Sequence, residues 1–315
     1  MRLRDLGEFG LIARILRTAA RRPSPASVVV GPGDDAAVLR PAPGEDVVVT
    51  TDALVEDVHF RWRTDAPRAI GRRALAANLS DLAAMGARPL GFVLALAAPP
   101  SLPVRRVDAL VAGLLHEAAR HGCPLVGGNL SAARETSLTL TAIGAVARGR
   151  ALSRAGARAG DRICVTGTLG GAALDRARAE RGRGQTRHVP EPRLSAGRAL
   201  ARLPGVGGVI DVSDGLDADL AHLLEGRRLR AEVDAARLPV PRGFGAACAR
   251  LGLDPERVAR TGGEDYELLF TLRPSAPGGA RLSRRLGVAV TEIGRLRAAA
   301  PGRGRSFPAG GWRHF

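Results

Sequence analysis

The stretch Val47–Phe60, VVVTTDALVEDVHF, joins an apolar run to three polar residues, Thr50, Thr51 and Asp52. The apolar run predicts a strand in the protein core. Polar side chains at its end have two explanations, since strand ends often reach solvent, and since hydroxyl and carboxylate oxygens also bind cations. The rest of the sequence has to decide between solvent exposure and a cation site.

The length of 315 residues is sufficient for two domains. We find no charge-free apolar run of the roughly 20 residues that a membrane-spanning helix needs. The first ten residues, MRLRDLGEFG, lack the basic and then apolar pattern of a signal peptide. We therefore expect a cytoplasmic protein without a membrane partner.

The formal net charge is +16, and all 47 basic residues other than histidine are arginine. The arginines are spread along the chain and aromatic residues make up 3% of it, so we do not expect a nucleic-acid partner. Without lysine, a Walker phosphate loop, a protein-kinase site and a pyridoxal phosphate Schiff base are excluded. Any phosphate chemistry must then use arginine, metal ions and backbone amides.

Three cysteines, Cys123, Cys164 and Cys248, are far apart in the sequence. Their odd number and wide spacing fit neither a disulfide framework nor a zinc site. We predict that they are small residues of the core.

Strand-like and helix-like segments alternate along the chain, which indicates an α/β or α+β protein. We predict an N-terminal domain over residues 1–148 and a C-terminal domain over residues 149–315, with a loop at Glu180–Pro192. In the first domain, we expect helices over Leu6–Ala20, Pro67–Met85 and Val104–Gly122. No G-x-G-x-x-G motif opens a helix, so a dinucleotide site is not expected.

Acidic residues recur at the ends of predicted elements. Asp34 and Asp35 follow the strand VVVGPG, and only one of them can face a shared site because neighbours on a strand alternate. Asn78 and Asp81 lie three residues apart in an Ala- and Leu-rich helix and should share a face. A polar turn and a solvent-exposed pair are the structural alternatives.

Two further acidic stretches lie in the predicted C-terminal domain. In VIDVSDGLDADL, Asp211 and Ser213 should share one side of a strand end, while Asp214 is predicted to cap the next helix with Asp217 in its first turn. In TGGEDYELLF, two glycines precede Glu264 and Asp265, where backbone amides could approach a ligand, although an exposed hairpin start would look similar. Clustered carboxylates repel unless cations are present, and several Mg²⁺ ions with bound phosphates would satisfy them.

The ordered motifs together resemble the thiamine-monophosphate kinase family, which belongs with aminoimidazole ribonucleotide synthetase and selenophosphate synthetase. The resemblance runs from the N-terminal to the C-terminal end of the sequence, through GEFGLIARI, GPGDDAAVL, TTDALVEDVHF, ALAANLSDLAAMGARP, GRALSRAGARAGD, IDVSDGLDADL, GGEDYELLF and GWRHF. It implies a two-domain α/β (α+β) fold in which helices cover mixed sheets, and a homodimer. It also implies ATP-dependent phosphorylation of thiamine monophosphate, with several Mg²⁺ ions.

The same resemblance assigns roles to single residues. The implied metal ligands are Asp35, Thr50, Thr51, Asp52, Asp81, Asn129, Asp211 and Asp214. The implied ATP contacts are Gly127, Gly128, Arg154 and Ser213, and the implied contacts to thiamine monophosphate are His59, Glu264 and Trp312. Asn129 stands where the family commonly has aspartate, and its carbonyl oxygen can bind Mg²⁺ without adding negative charge.

No side chain is predicted to act as a general base, because a phosphate oxygen that attacks ATP is already ionised near neutral pH. Metal ions would assist a direct in-line transfer instead. Two alternatives remain open: another superfamily member with a different acceptor, and a catalytically silent protein that binds metal and nucleotide.

Overall fold

The computed structural model describes residues 1–20, 25–32 and 36–299. The chain forms two compact units. The first unit comprises residues 1–82, 88–148 and 179–189, and the second comprises residues 83–87, 149–178 and those from 190 onward.

The first unit contains a four-stranded sheet. Its helices and strands are α1 (Leu3–Ala19), β1 (Val28–Val30), β2 (Val38–Leu39), β3 (Glu45–Val55), α2 (Pro67–Ala84), β4 (Arg88–Ala98), α3 (Val104–His121), β5 (Leu125–Ala132) and β6 (Ser137–Ala147). The last two residues of α2 are assigned to the second unit. The strand order is β3-β6-β4-β5, with β4 and β5 parallel and the other neighbours antiparallel, so the sheet is mixed. The strands β1 and β2 form a separate antiparallel pair.

Alternation along β6 separates two faces of this sheet. Leu138, Leu140 and Ala142 are fully buried, whereas Thr139 and Thr141 are partly exposed. Ala- and Leu-rich α2 is buried along most of its length and packs directly against α3. A Cβ atom at Gly71 would lie 1.9 Å from the carbonyl oxygen of Leu110, so this close helix contact requires glycine.

The opposite face of β3 is exposed to solvent in the single chain. Val47 and Val49 lie there and are 53% and 62% exposed. Ile143, the partner of Val49 on β6, is partly exposed as well. We call the face formed by Val47, Val49, Thr51 and Ile143 the outer face of the sheet.

The second unit contains a five-stranded sheet that is antiparallel throughout. Its elements are β7 (Arg162–Thr166), α4 (Gly171–Glu180), α5 (Leu194–Leu200), β8 (Val206–Asp211), α6 (Leu216–Leu223), β9 (Leu229–Val233), α7 (Phe244–Ala249), α8 (Pro255–Thr261), β10 (Leu268–Leu272), α9 (Gly279–Leu286) and β11 (Val290–Ala298). The last two residues of α4 are assigned to the first unit. The strand order is β8-β10-β7-β11-β9. Ile163, Val165 and Ile210 from the strands and Leu216 and Leu220 from α6 form its core.

The predicted α/β (α+β) class is confirmed. Mixed pairing occurs in the first sheet, whereas the second sheet is antiparallel, which the prediction of mixed sheets did not distinguish. The cysteines Cys123, Cys164 and Cys248 are buried as predicted, and burial raises the pKa of the Cys164 thiol to about 12. Within the described ranges, no helix is long and apolar enough to cross a membrane.

Residues 179–189 return to the first unit, although the predicted division placed them in the C-terminal domain. The reason is a buried hydrogen-bond network around Asp65. Thr186 Oγ1 donates to Asp65 Oδ1 at 2.6 Å, and Arg73 Nη2 donates to the same oxygen at 2.7 Å. The Thr186 amide also donates to the carbonyl of Thr64 at 2.7 Å. A polar loop is therefore fixed by one buried carboxylate.

Candidate active site

The end of β3 and the helix α2 supply the first group of polar residues. Thr50 and Asp52 alternate with the outer-face residues of β3 and therefore lie on the inner face, which α2 covers. Thr50 Oγ1 donates to Asp81 Oδ2 at 2.6 Å. The structure thus brings together two of the predicted metal ligands, which are 31 residues apart in the sequence.

Asn78, three residues before Asp81 on α2, makes a hydrogen bond within its own helix. Asn78 is fully buried, and its amide donates to the carbonyl of Ala74 at 3.0 Å, one turn earlier in α2. Its oxygen Oδ1 has no hydrogen-bond partner among the described residues. Asp81, in contrast, is partly exposed. Only the carboxylate therefore combines polar contact with access to solvent.

Thr51 and Asp52 occupy different faces of β3. The Thr51 hydroxyl donates to the carbonyl of Leu140 and accepts a hydrogen bond from the Thr141 hydroxyl, both at 3.1 Å. Asp52 Oδ1 accepts from the amide of Ala53 at 2.8 Å. The three polar residues that end the apolar run therefore do not point to one side.

Gly127, Gly128 and Asn129 lie within β5, at the other edge of the sheet, and the two glycines do not form a turn. The pairing across four strands puts Gly128 in the row of Asp52 and Asn129 in the row of Ala53. Asn129 consequently shares a face with Thr51 and lies on the opposite face from Thr50 and Asp52. A Cβ at position 128 would be 2.2 Å from the carbonyl oxygen of Leu94, so glycine permits the strand contact there.

His59 lies in the turn that follows β3. The Val55 amide donates to His59 Nδ1 at 3.1 Å, and the His59 amide donates back to the carbonyl of Val55 at 2.9 Å. Because Nδ1 accepts this bond, the neutral imidazole carries its proton on Nε2. Asp35 and Trp312, also predicted site residues, lie outside the described residues.

The end of β8 supplies a second group of acids, in the second unit. Asp211 is the last residue of the strand and is 4% exposed. The predicted capping of α6 by Asp214 is wrong, because the N-cap is Gly215 with φ of 108° and the helix starts at Leu216. Asp219 Oδ2 instead accepts from the Asp214 amide at 3.1 Å. A positive φ at Gly215 turns the chain and displaces the start of the helix by one residue.

Asp219 was not recognised from the sequence. It is 2% exposed, and its pKa is raised to about 8 by burial and by the negative charges of Asp211 and Asp214. Asp217 is also buried, and Arg260 Nε donates to its Oδ2 at 3.1 Å. The signal that could have identified Asp219 is its position in the first turn of a helix directly after an acidic strand end.

The segment Gly262–Tyr266 passes beside this turn. The Glu264 amide donates to the carbonyl of Ser213 at 2.8 Å, and the Tyr266 amide donates to that of Val212 at 2.8 Å. The carboxylate of Glu264 contacts the guanidinium of Arg176 on α4, a residue that the sequence did not suggest. The structure therefore places the predicted residues Ser213 and Glu264 next to each other.

Arg154 lies in a single 3-10 turn, Arg154–Gly156, against the start of β8. The Val209 amide donates to the carbonyl of Ser153 at 2.9 Å, and a Cβ at Gly208 would lie 2.7 Å from the carbonyl oxygen of Arg154. The Arg154 side chain is exposed. An exposed guanidinium on a fixed turn can bind a phosphate.

Comparison with known proteins first defines a broad class. The sequence model of the family described as AIR synthase related protein, N-terminal domain, matches residues 33–146. The E. coli hydrogenase maturation protein HypE shares the fold, with a TM-score of 0.75 and 21% identity over 96% of this chain and 98% of that structure.

Closer relatives identify the family. A thiamine-monophosphate kinase of Mycobacterium tuberculosis is 41% identical over 89% of this chain and 84% of that protein. The crystal structure of thiamine-monophosphate kinase from Stenotrophomonas maltophilia has a TM-score of 0.80 and 36% identity over 93% of this chain and 95% of that structure. A structure described as AaThiL complexed with AMPPCP and TMP has a TM-score of 0.75 and 30% identity over 100% of this chain and 99% of that structure. The chain belongs to the thiamine-monophosphate kinase family.

Proposed function

We propose that this protein transfers the γ-phosphoryl group of ATP to thiamine monophosphate, giving thiamine diphosphate and ADP. The observation that carries the proposal is that acidic motifs of the family fold into two groups, Thr50 with Asp81 and Asp211 with Asp214 and Asp219. Further support comes from the family relative that was solved with AMPPCP and TMP, a non-hydrolysable ATP analogue and the proposed acceptor.

The donor atoms of both groups suit Mg²⁺, which binds carboxylate and hydroxyl oxygens rather than nitrogen or sulfur. In the second unit, a cation would relieve the repulsion that raises the pKa of Asp219. We propose Asp35, Thr50, Thr51, Asp52, Asp81, Asn129, Asp211 and Asp214 as magnesium ligands. Bound Mg²⁺ would screen the negative charges of the two phosphates and of the group transferred between them.

The protein side chains would bind and orient the substrates. In this proposal, the exposed guanidinium of Arg154, Ser213 and the strand segment Gly127–Gly128 bind ATP. His59 and Glu264 bind the acceptor, together with Trp312. No side chain needs to remove a proton, because the attacking phosphate oxygen of thiamine monophosphate is already ionised. We therefore expect no activity-limiting ionisation of His59.

We also propose that the protein is a homodimer that pairs through the outer face. The exposed valines Val47 and Val49 and the partly exposed Ile143 form an apolar strip on the sheet, and such strips often mark interfaces. A second copy is the fitting partner because two identical sheet faces can cover each other around a twofold axis. Val49→Asp should convert the dimer to a monomer in analytical ultracentrifugation, whereas Val240→Asp, which changes an exposed valine of the second unit, should not. The cytoplasmic location remains a prediction.

The decisive experiment measures ADP and thiamine diphosphate made by the purified protein from ATP and thiamine monophosphate across a magnesium titration. We expect both products in equal amounts and a dependence on magnesium. ADP without thiamine diphosphate, or turnover with another phosphate acceptor, would favour a different superfamily reaction. Magnesium-dependent binding of ATP without either product would identify a silent nucleotide binder and refute the proposal.

A further inference from the structure

Helix α4 contacts the segment Gly262–Tyr266 at two successive acidic residues. Asp265 Oδ2 accepts from the Gly170 amide at 2.6 Å, and its Oδ1 accepts from the Ala172 amide at 3.4 Å, so this carboxylate binds the N-terminal end of α4. One residue earlier, Glu264 contacts Arg176 from the middle of the same helix. Both acids of the segment are thus tied to α4.

The backbone at Glu264 is also held by the turn that follows β8. Its amide donates to Ser213, and its φ of 66° lies in the left-handed region, which few non-glycine residues adopt. A Cβ at Gly262 would lie 2.8 Å from the Cβ of Ala173, so α4 packs closely on the segment. These backbone contacts do not fix the three side-chain torsions of Glu264. The contact with the guanidinium of Arg176 restricts them.

The charge of this pair matters for the proposed acceptor, which carries a cationic thiazolium ring and an anionic phosphate. A free carboxylate would attract the ring and repel the phosphate. The Arg176 and Glu264 side chains are 31% and 28% exposed, so the pair is partly shielded from water yet accessible. A guanidinium on Glu264 Oε2 offsets part of the negative charge and holds the carboxylate in one orientation.

We propose that Arg176 is a positioning residue that orients Glu264 for binding of thiamine monophosphate. This inference rests on the proposed function and extends it to a residue of α4. Arg176 acts through Glu264 and makes no contribution to ATP binding.

The first test compares Arg176→Gln with Arg178→Gln. Arg178 is exposed two residues further along α4, so its replacement is a matched control for the loss of a charge from this helix. We expect Arg176→Gln to raise the KM for thiamine monophosphate roughly tenfold, the scale of a partly buried charged hydrogen bond, with the KM for ATP unchanged. Arg178→Gln should leave both constants unchanged, and thermal melting should be similar in all three proteins.

A second test asks whether Arg176 acts through Glu264. The Arg176→Gln/Glu264→Gln double variant should bind thiamine monophosphate no more weakly than Glu264→Gln alone, because the two residues act as a unit. Arg176→Lys keeps the charge and should recover part of the affinity. A merely structural role would instead lower the melting temperature and alter both KM values.

Three results would overturn the inference: an unchanged KM for thiamine monophosphate in Arg176→Gln, an equal rise of both KM values, or fully additive effects in the double variant. If the wild-type protein forms no thiamine diphosphate, the proposed function fails, and binding decides the inference separately. A thermal shift with thiamine monophosphate that wild type shows and Arg176→Gln loses would support the role of Arg176. No shift in wild type would overturn both.

Discussion

The acidic groups of the two units differ in what balances their charge. In the first unit, partly exposed Asp81 accepts a hydrogen bond from the neutral hydroxyl of Thr50 at 2.6 Å. In the second unit, Asp219 is buried with Asp211 and Asp214 close enough to raise its pKa to about 8. The second group therefore retains repulsion between carboxylates, whereas the carboxylate of the first group accepts a bond from a neutral donor.

This difference teaches that similar sequence signals, acids at element ends, produce electrostatically distinct sites. In the first unit, a neutral hydroxyl donates to a partly exposed carboxylate. Buried neighbouring carboxylates repel each other, and this repulsion favours a bound cation or a retained proton. The following predictions test whether the two groups nevertheless serve the same reaction.

The largest expected effect is on catalysis. Asp81→Asn in the first unit and Asp211→Asn in the second should each lower kcat by about a hundredfold or more, because a lost ligand weakens stabilisation of the transferring phosphoryl group. Steady-state assays at saturating magnesium measure this. Asp254→Asn is the control, since Asp254 is exposed and caps α8, where asparagine caps equally well. A variant of either group that kept wild-type kcat would remove that group from the reaction.

The second prediction concerns the pH dependence of stability. Asp265 is 6% exposed, and burial together with the charge of Glu267 raises its pKa to about 7, despite amide donors from Gly170 and Ala172. Between the unfolded pKa of about 3.9 and pH 7, the unfolded chain has lost this proton while the folded chain keeps it. Stability therefore falls as pH rises through this window, by about 1.4 kcal/mol per pH unit at most, and levels off above pH 7.

Asp265→Asn removes this ionisation, so the free energy of unfolding should depend less on pH between 4 and 7 than in wild type. Urea unfolding at several pH values measures the slope, with Asp254→Asn as the exposed control. An unchanged slope in Asp265→Asn would show that Asp265 is ionised throughout this pH range.

The third prediction concerns the neutral donor of the first unit. Thr50→Val removes the hydroxyl that donates to Asp81 and should lower the free energy of unfolding by about 1 to 2 kcal/mol in the absence of magnesium. Thr18→Val is the control, because Thr18 is a helix threonine whose hydroxyl donates to the carbonyl of Arg14 at an exposed position. Equal, small losses in both variants would mean that solvent, rather than Thr50, compensates Asp81.

Much of the fold was predictable because it follows local patterns. The Ala- and Leu-rich stretch from Pro67 is α2, and the helix expected over Val104–Gly122 is α3. The start of α6 was not predictable from capping preference, because Gly215 adopts a positive φ that displaces the helix by one residue. The return of residues 179–189 to the first unit depends on buried Asp65, whose partners Arg73 and Thr186 lie 8 and 121 residues away.

The candidate site shows the same limit. Thr50 and Thr51 lie on opposite faces of β3, which the assignment of both residues to one set of metal ligands did not anticipate. The contact between Thr50 and Asp81 joins a strand to a helix, and the contact between Arg176 and Glu264 spans 88 residues. Such contacts depend on how elements pack, which a spacing within one element does not encode.

The smallest expected effect is at Asn129, which shares the face of Thr51 and lies opposite the inner-face residues Thr50 and Asp52. Asn129→Asp adds a negative charge where the family commonly has one, so it should lower the half-saturating magnesium concentration roughly two- to fivefold while leaving kcat nearly unchanged. Ser131→Asp is the matched control, because Ser131 is exposed two residues further along β5 on the same face. An equal shift in both variants would indicate a general effect of charge, and no shift in Asn129→Asp would remove Asn129 from the magnesium ligands. A shift confined to position 129 would show that the outer-face side of the first unit also takes part in metal binding.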